Sequence, residues 1–202
     1  MAPVLAVLLA CCHRISAPQR HEPDPLAVCG TPAALNLALA GELARAHPPE
    51  ASPLGRCVAD AANRGSDAAA MLLADVYRRA LSGVSGGGAV ALRLDLFGRY
   101  VGWLRVAGER GYAPAQLLLA QAIDSTAYGA MPDNAFAWYQ AAGEAGNNAA
   151  LAAIGTAYSK GRIPDERLYD LRNWLSSRGR QSPGERQLQR LLAKPPASAP
   201  PG

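Results

Sequence analysis

The chain has 202 residues and a formal net charge of +4, with 50% hydrophobic and 18% charged residues. One domain with a sizeable core is expected, and the net charge is too small for a nucleic-acid binder. Aromatic residues make up 6%, beside 20 glycines and 16 prolines, which disfavours a densely packed β-sandwich and favours helices that meet through small residues. The 3 histidines are His13, His21 and His47, so the body of the chain beyond them has none for hydrolase chemistry.

Residues 1–10 read as a targeting leader, because the apolar stretch Pro3 to Ala10 is too short to cross a bilayer as a helix. Leu8-Leu9-Ala10-Cys11 resembles the lipobox of bacterial lipoproteins, which implies that Cys11 is lipidated and becomes the new N-terminus. Cys12, not Asp, follows it, and by the same resemblance this implies the outer membrane. No Lys or Arg precedes the apolar run, so two other readings stand beside this one: an unlipidated secretory signal and an unprocessed cytoplasmic N-terminus. Membrane contact is expected only through that anchor.

Residues 11–30, with Pro18, Pro23 and Pro25 among polar residues, are expected to be a tether that buries no core. At the other end 195–202 is expected to be a disordered proline-rich tail. With Cys11 lipidated and Cys12 beside it, Cys29 and Cys57 remain as a candidate disulfide, which requires an oxidising compartment. The alternative, two buried free thiols in a cytosolic protein, stays open. No CxxC or spaced Cys/His set is present, so no metal site is expected.

The domain is expected over 31–194. After Thr31-Pro32, residues Leu35, Ala38, Leu39, Leu43 and Ala46 form one stripe, which predicts an N-terminal capping helix over 32–46. Beyond it Gly65, Gly111 and Gly146 lie in like surroundings, 46 and 35 residues apart, with Gly179 as a degenerate fourth. Four positions before each come Ala61, Ala107, Ala142 and Leu175; eight before come Cys57, Trp103, Trp138 and Leu171. Four after the first three come Ala69, Ala115 and Ala150; eight after come Leu73, Leu119 and Ile154; twelve after come Tyr77, Ile123 and Tyr158. Each step of four advances about 40° beyond a whole turn, so these positions make one broad apolar stripe. Each unit is a helix, a tight turn carried by a glycine that takes positive φ, and a second helix. Pro114 fits the first turn of its helix, and Asp133 is expected to be an N-cap. The longer first interval is expected to hold a flexible insertion at 82–88, and 166–194 a capping pair ending in Leu188, Leu191 and Leu192.

Trp138-Tyr139, Ala142, Glu144-Ala145-Gly146-Asn147, Ala150, Leu151, Gly155, Ala157-Tyr158, Gly161 and the helix-starting Asp165 together resemble the Sel-one-like repeat, a relative of the tetratricopeptide repeat. The likeness is most specific over 133–165, weaker over 99–127 and 54–80, and slight beyond 166. It implies an all-α, right-handed α-solenoid of antiparallel helix pairs, about three repeats plus terminal caps, whose concave face binds another protein. The family's envelope lipoproteins imply two versions of that role, a scaffold or a periplasmic immunity protein that clasps a secreted lipase; an unprocessed N-terminus would instead leave a cytoplasmic repeat adaptor. Some cysteine-rich members are associated with penicillin binding or β-lactamase activity, but this chain has no Ser-x-x-Lys and lacks their paired cysteines in each repeat.

Little chemistry is expected. Gly83-Val84-Ser85-Gly86-Gly87 spells G-x-S-x-G, but a nucleophile elbow needs a preceding strand and a later histidine. Glu109 and Glu144, each two before a turn glycine, are expected to solvate helix ends, and Trp103 and Trp138 to pack between helices. No cofactor and no enzymatic activity are expected; a cell-wall or β-lactam hydrolase is the least favoured reading. From Lys160 onward there are nine basic and four acidic residues, against eleven and twelve before it, which predicts a basic C-terminal cap. Binding is expected along the inner groove of 57–165, with Tyr112, Tyr128 and Tyr139, which fall outside the alanine and leucine columns, as candidate partner contacts.

Overall fold

The computed structural model describes residues 23–44, 48–84, 89–126, 130–179 and 181–194. Cys11, the leader, the tail and Tyr128 lie outside them, as does most of the expected insertion. The described residues are all-helical: α1 (Pro32–Ala44), α2 (Pro53–Asn63), α3 (Asp67–Gly83), α4 (Val90–Gly108), α5 (Ala113–Asp124), α6 (Asp133–Glu144), α7 (Asn148–Ser159), α8 (Asp165–Ser177) and α9 (Pro183–Leu192), with 3-10 turns at Pro25–Val28 and Pro49–Ala51. From α2 to α7 each helix packs on the next, while α1 lies on α3 and α9 on α7, which gives an all-α, solenoid-like arrangement.

Local chemistry starts these helices. Ser52 caps α2, its hydroxyl accepting from Gly55 N at 3.0 Å, and Pro53 takes the first turn, where a missing N–H costs nothing. Ser66 caps α3 by accepting from Ala69 N at 3.1 Å, and Asn147 caps α7 by accepting from Ala149 N at 3.0 Å. Ser182 and Glu185 form a reciprocal capping box at α9. Asp133 is the first residue of α6 and not its cap; Pro132 holds that position in extended conformation, and the Asp133 carboxylate instead pairs with Arg167 on α8 at 2.8 Å.

One kind of turn closes α2, α4, α6 and α7. Gly65, Gly111, Gly146 and Gly161 all have positive φ. In each case the glycine N–H donates back three residues and the next N–H donates back five, from Ser66 to Ala61, Tyr112 to Ala107, Asn147 to Ala142 and Arg162 to Ala157. These bonds satisfy carbonyls that a helix end leaves unpaired. Ala61, Ala107 and Ala142 are wholly buried there, so the methyl column sits where helices approach most closely. Gly179 does not follow this pattern; α8 ends at Arg178 in extended conformation, and Arg178 reaches Glu185 at 3.1 Å across the link to α9.

The core runs through two connected clusters. One gathers α1 to α5 around Leu39, Leu73, Tyr77, Leu104 and Leu119. The other gathers α6 to α9 around Ile154, Leu171, Leu175 and Leu188, with Trp138 and Ile123 packed against both. In α1 the stripe is Leu35, Leu39 and Leu43, whereas Ala38 is exposed. The expected tether also ends earlier than residue 30. Leu26, in the turn capped by Asp24, is buried in the core, and a disulfide joins Cys29 to Cys57 with Cα atoms 5.8 Å apart.

The extra residues between Gly65 and Gly111 lengthen helices. α3 has 17 residues and α4 has 19, against 12 each in α5, α6 and α7. Ser82 and Gly83 are therefore helical, where an insertion was expected, and the ends of α3 and α4 extend past the length of the later helices.

Candidate functional site

The lengthened pair creates a groove. Residues 90–95 at the start of α4 are all exposed, because no later helix is long enough to cover them. Between them, the last turns of α3 and the end of α1 lies a cavity of about 820 Å³ lined mainly by Leu43, Val76, Ala80, Val84, Leu92 and Leu96. Leu92, on the α4 wall, is 52% exposed, whereas Val90 and Leu94, 59% and 66% exposed, fall on the other side of α4. Apolar surface of this kind beside a groove is what a partner's apolar segment covers.

A polar cluster supports the groove's floor. Glu50, in the 3-10 turn before α2, accepts from the Tyr77 hydroxyl and, at 2.8 Å, from Trp103 Nε1. Arg99 stands 4.0 Å from the same carboxylate, with its guanidinium 5.9 Å from the centre of the Tyr77 ring. Burial, then the hydrogen bond to Glu50 and its charge, push the Tyr77 phenol well above the usual tyrosine range. The hydroxyl therefore stays a donor at any physiological pH. One carboxylate thus ties the turn before α2 to α3 and α4, holding the groove's walls in register. At the rim Arg99 pairs with Asp95 at 3.0 Å, and Arg79 pairs with Asp75 at 3.1 Å and donates to Asn36 on α1.

Of the expected contact residues, Tyr112 and Tyr139 do not line this groove, and Tyr128 lies outside the described residues. Tyr112 is 37% exposed and precedes α5 as its cap position. Tyr139 is 3% exposed within the second cluster, and burial, followed by the nearby Asp124 charge, pushes its phenol up to about 12. It is a core residue, buried in the cluster that α6 shares with α7. The groove also begins upstream of the expected 57–165, at Ala40, Leu43 and Pro48. Trp103 and Trp138 are half-buried, the first bonded to Glu50 and the second packed between the clusters. Glu144 accepts from Gln140 at 3.2 Å on an exposed surface, as a solvated helix end does.

Glu50 was not legible beforehand. Its only sequence signal is an acid directly after Pro48-Pro49, where a short proline-bounded turn can drive a side chain inward. Among the described residues no group of three or more His, Cys, Asp or Glu side chains could hold a metal ion, and no helix is long and apolar enough to cross a membrane. No protein-family model matches the chain, and no curated protein or solved structure matches it either.

Proposed function

We propose that this chain is a non-enzymatic, protein-binding scaffold of the bacterial cell envelope, built from Sel-one-like repeats and anchored through a lipid on Cys11. The observation that carries the binding role is the apolar groove between α1, α3 and α4, with Leu92 half exposed on its wall. A partner would place apolar side chains against Leu43, Val84 and Leu92, with the Arg99–Asp95 and Arg79–Asp75 pairs at the rim selecting register.

The like turns at Gly65, Gly111 and Gly146, each with the same pair of backbone bonds, support the repeat reading. The Cys29–Cys57 disulfide supports an oxidising compartment over the cytoplasm, since thiols are kept reduced in the cytosol. Together with Leu8-Leu9-Ala10-Cys11 it favours the periplasmic face of the outer membrane. Expression with the native N-terminus, beside Cys11→Ala, tests the anchor by intact mass and membrane fractionation. A chain beginning at Cys11 with added lipid mass, lost in the variant, is expected. A soluble chain that keeps Met1 to Ala10 in both cases overturns the envelope reading.

A further inference from the structure

A second groove, of about 860 Å³, lies between α7 and α9, far along the chain from the α3–α4 pair. Its apolar lining is the half-buried Leu191 with the exposed Ala152, Pro183 and Ala193, over Leu151, Gly155 and Leu188, which are buried. A methyl group at Gly155 would stand 3.0 Å from the Leu191 side chain, so the glycine lets α9 approach α7 closely. Its rim carries Asn148, Gln187, Arg190 and Lys194, and no carboxylate lines the groove anywhere. The Tyr158 hydroxyl donates to the Lys194 carbonyl and Arg172 donates to the Leu192 carbonyl at 3.2 Å, which fixes the end of α9 and with it the basic side of the rim.

The cations here have no acidic partners. Elsewhere in the C-terminal part Arg162 pairs with Asp124, Arg167 with Asp133 and Asp170, and Arg178 with Glu185, while Lys160 and Arg172 likewise show no ion pair among the described residues. Among the described residues Arg186, Arg190 and Lys194 have no ion pair; Arg186 donates to the Gln181 carbonyl and Arg190 to the Arg186 carbonyl at 3.4 Å. They follow at intervals of four along and just beyond α9, so they share one side of it. The four acids of 160–202 are Asp165, Glu166, Asp170 and Glu185; the first two stand in the first turn of α8, Asp170 lies further along it beside Arg167, and Glu185 is buried in the capping box.

The geometry points to a docking groove for an acidic, leucine-bearing peptide segment of a partner protein, its apolar side chains against Leu191, Ala152 and Ala193 and its carboxylates against Arg190 and Lys194. A recessed apolar floor within a cationic rim distinguishes this occupant from an anionic bilayer, whose flat headgroup surface meets the rim alone. The site is separate from the α3–α4 groove and does not depend on what binds there.

Fluorescence anisotropy with a short fluorescein-labelled peptide alternating glutamate and leucine tests it, on the full chain at low and moderate salt. Binding is expected to weaken with salt, and by about tenfold or more in the double variant Arg190→Glu, Lys194→Glu. It is expected to be unchanged in Arg93→Glu, the same charge change on α4, and circular dichroism keeps loss of fold apart from loss of binding. Peptides with serine for leucine, or lysine for glutamate, are expected to bind much more weakly. Equal binding by the double variant, or by the lysine peptide, overturns the proposal. So does binding to phosphatidylglycerol vesicles without binding to the peptide, which would make the patch a lipid contact.

Discussion

At Gly111 and Gly146 the backbone takes φ of +89°, a conformation that a side chain makes strained, yet nothing stands within 4 Å of the place where a Cβ would sit. The glycines are therefore required by the turn and not by crowding. Gly146→Ala is expected to lower stability by about 1 kcal/mol. Gly179→Ala, at a glycine whose φ is not positive and which faces open space, should change it by less than about 0.5 kcal/mol. Urea midpoints at unchanged slope check both, and equal losses would contradict this account of the turn. The turn glycines were legible because a backbone demand leaves a mark at one position, whatever surrounds it. Tyr139 was not, because an error of one residue on a helix turns a side chain by about 100° and exchanges surface for core. Its burial has a measurable result. The folded phenol is held neutral up to about 12, from an ordinary value of 10.0, so its contribution to stability is complete below pH 10 and is lost as pH rises toward 12. The difference between ultraviolet phenolate titrations of the wild type and Tyr139→Phe should show Tyr139 ionising near 12, and a difference transition near 10 would refute its placement.

Among the elements, the pairing of helices could be read in advance, because alanine and leucine columns recur at helical spacing and every column from Ala61 to Ile154 is buried. What escaped the reading was length. A longer interval between glycines can enter a loop or two helices, and the glycine run at 86–88 points to a loop. The helical ends of α3 and α4 take most of it instead, because Leu81 and Val84 at one end and Leu96 and Phe97 at the other still find core neighbours. Before α2 the disulfide does similar work for a short segment. It holds the Pro25–Val28 turn and its buried Leu26 against a helix 28 residues along the chain. Restricting the unfolded chain over that separation is worth about 3 kcal/mol, so Cys29→Ala with Cys57→Ala should lower the unfolding free energy by about that amount. A loss below about 1 kcal/mol would mean that Leu26 and Asp24 hold the segment unaided. Ion pairs join the turns in turn: Arg110, beside one turn glycine, reaches Asp67 at the start of α3 at 3.3 Å, and Arg162, beside another, reaches Asp124 at 2.5 Å. These exposed and half-exposed pairs set alignment more than stability.

For the molecule as a whole, an asymmetry in charge and helix length gives one all-helical, solenoid-like fold two different surfaces. The α1–α4 part presents an apolar groove with paired charges at its rim, and the α7–α9 part presents a groove whose cations are unpaired. Neither groove could be read from the chain in advance, since each assembles residues from three or two helices whose relative offset is set by packing. The basic C-terminal composition was visible, but the apolar floor beneath it was not. The claim on which the function rests is that the groove beside Leu92 is occupied by a partner protein. In-cell photocrosslinking, with a photoreactive residue replacing Leu92 in the chain carrying its own N-terminus, tests it most directly, with Tyr169 on α8, 68% exposed, as the comparison site. A discrete adduct from position 92, in the envelope fraction and absent from position 169, is the result this account predicts. No adduct from position 92, or the same adducts from both positions, would contradict it.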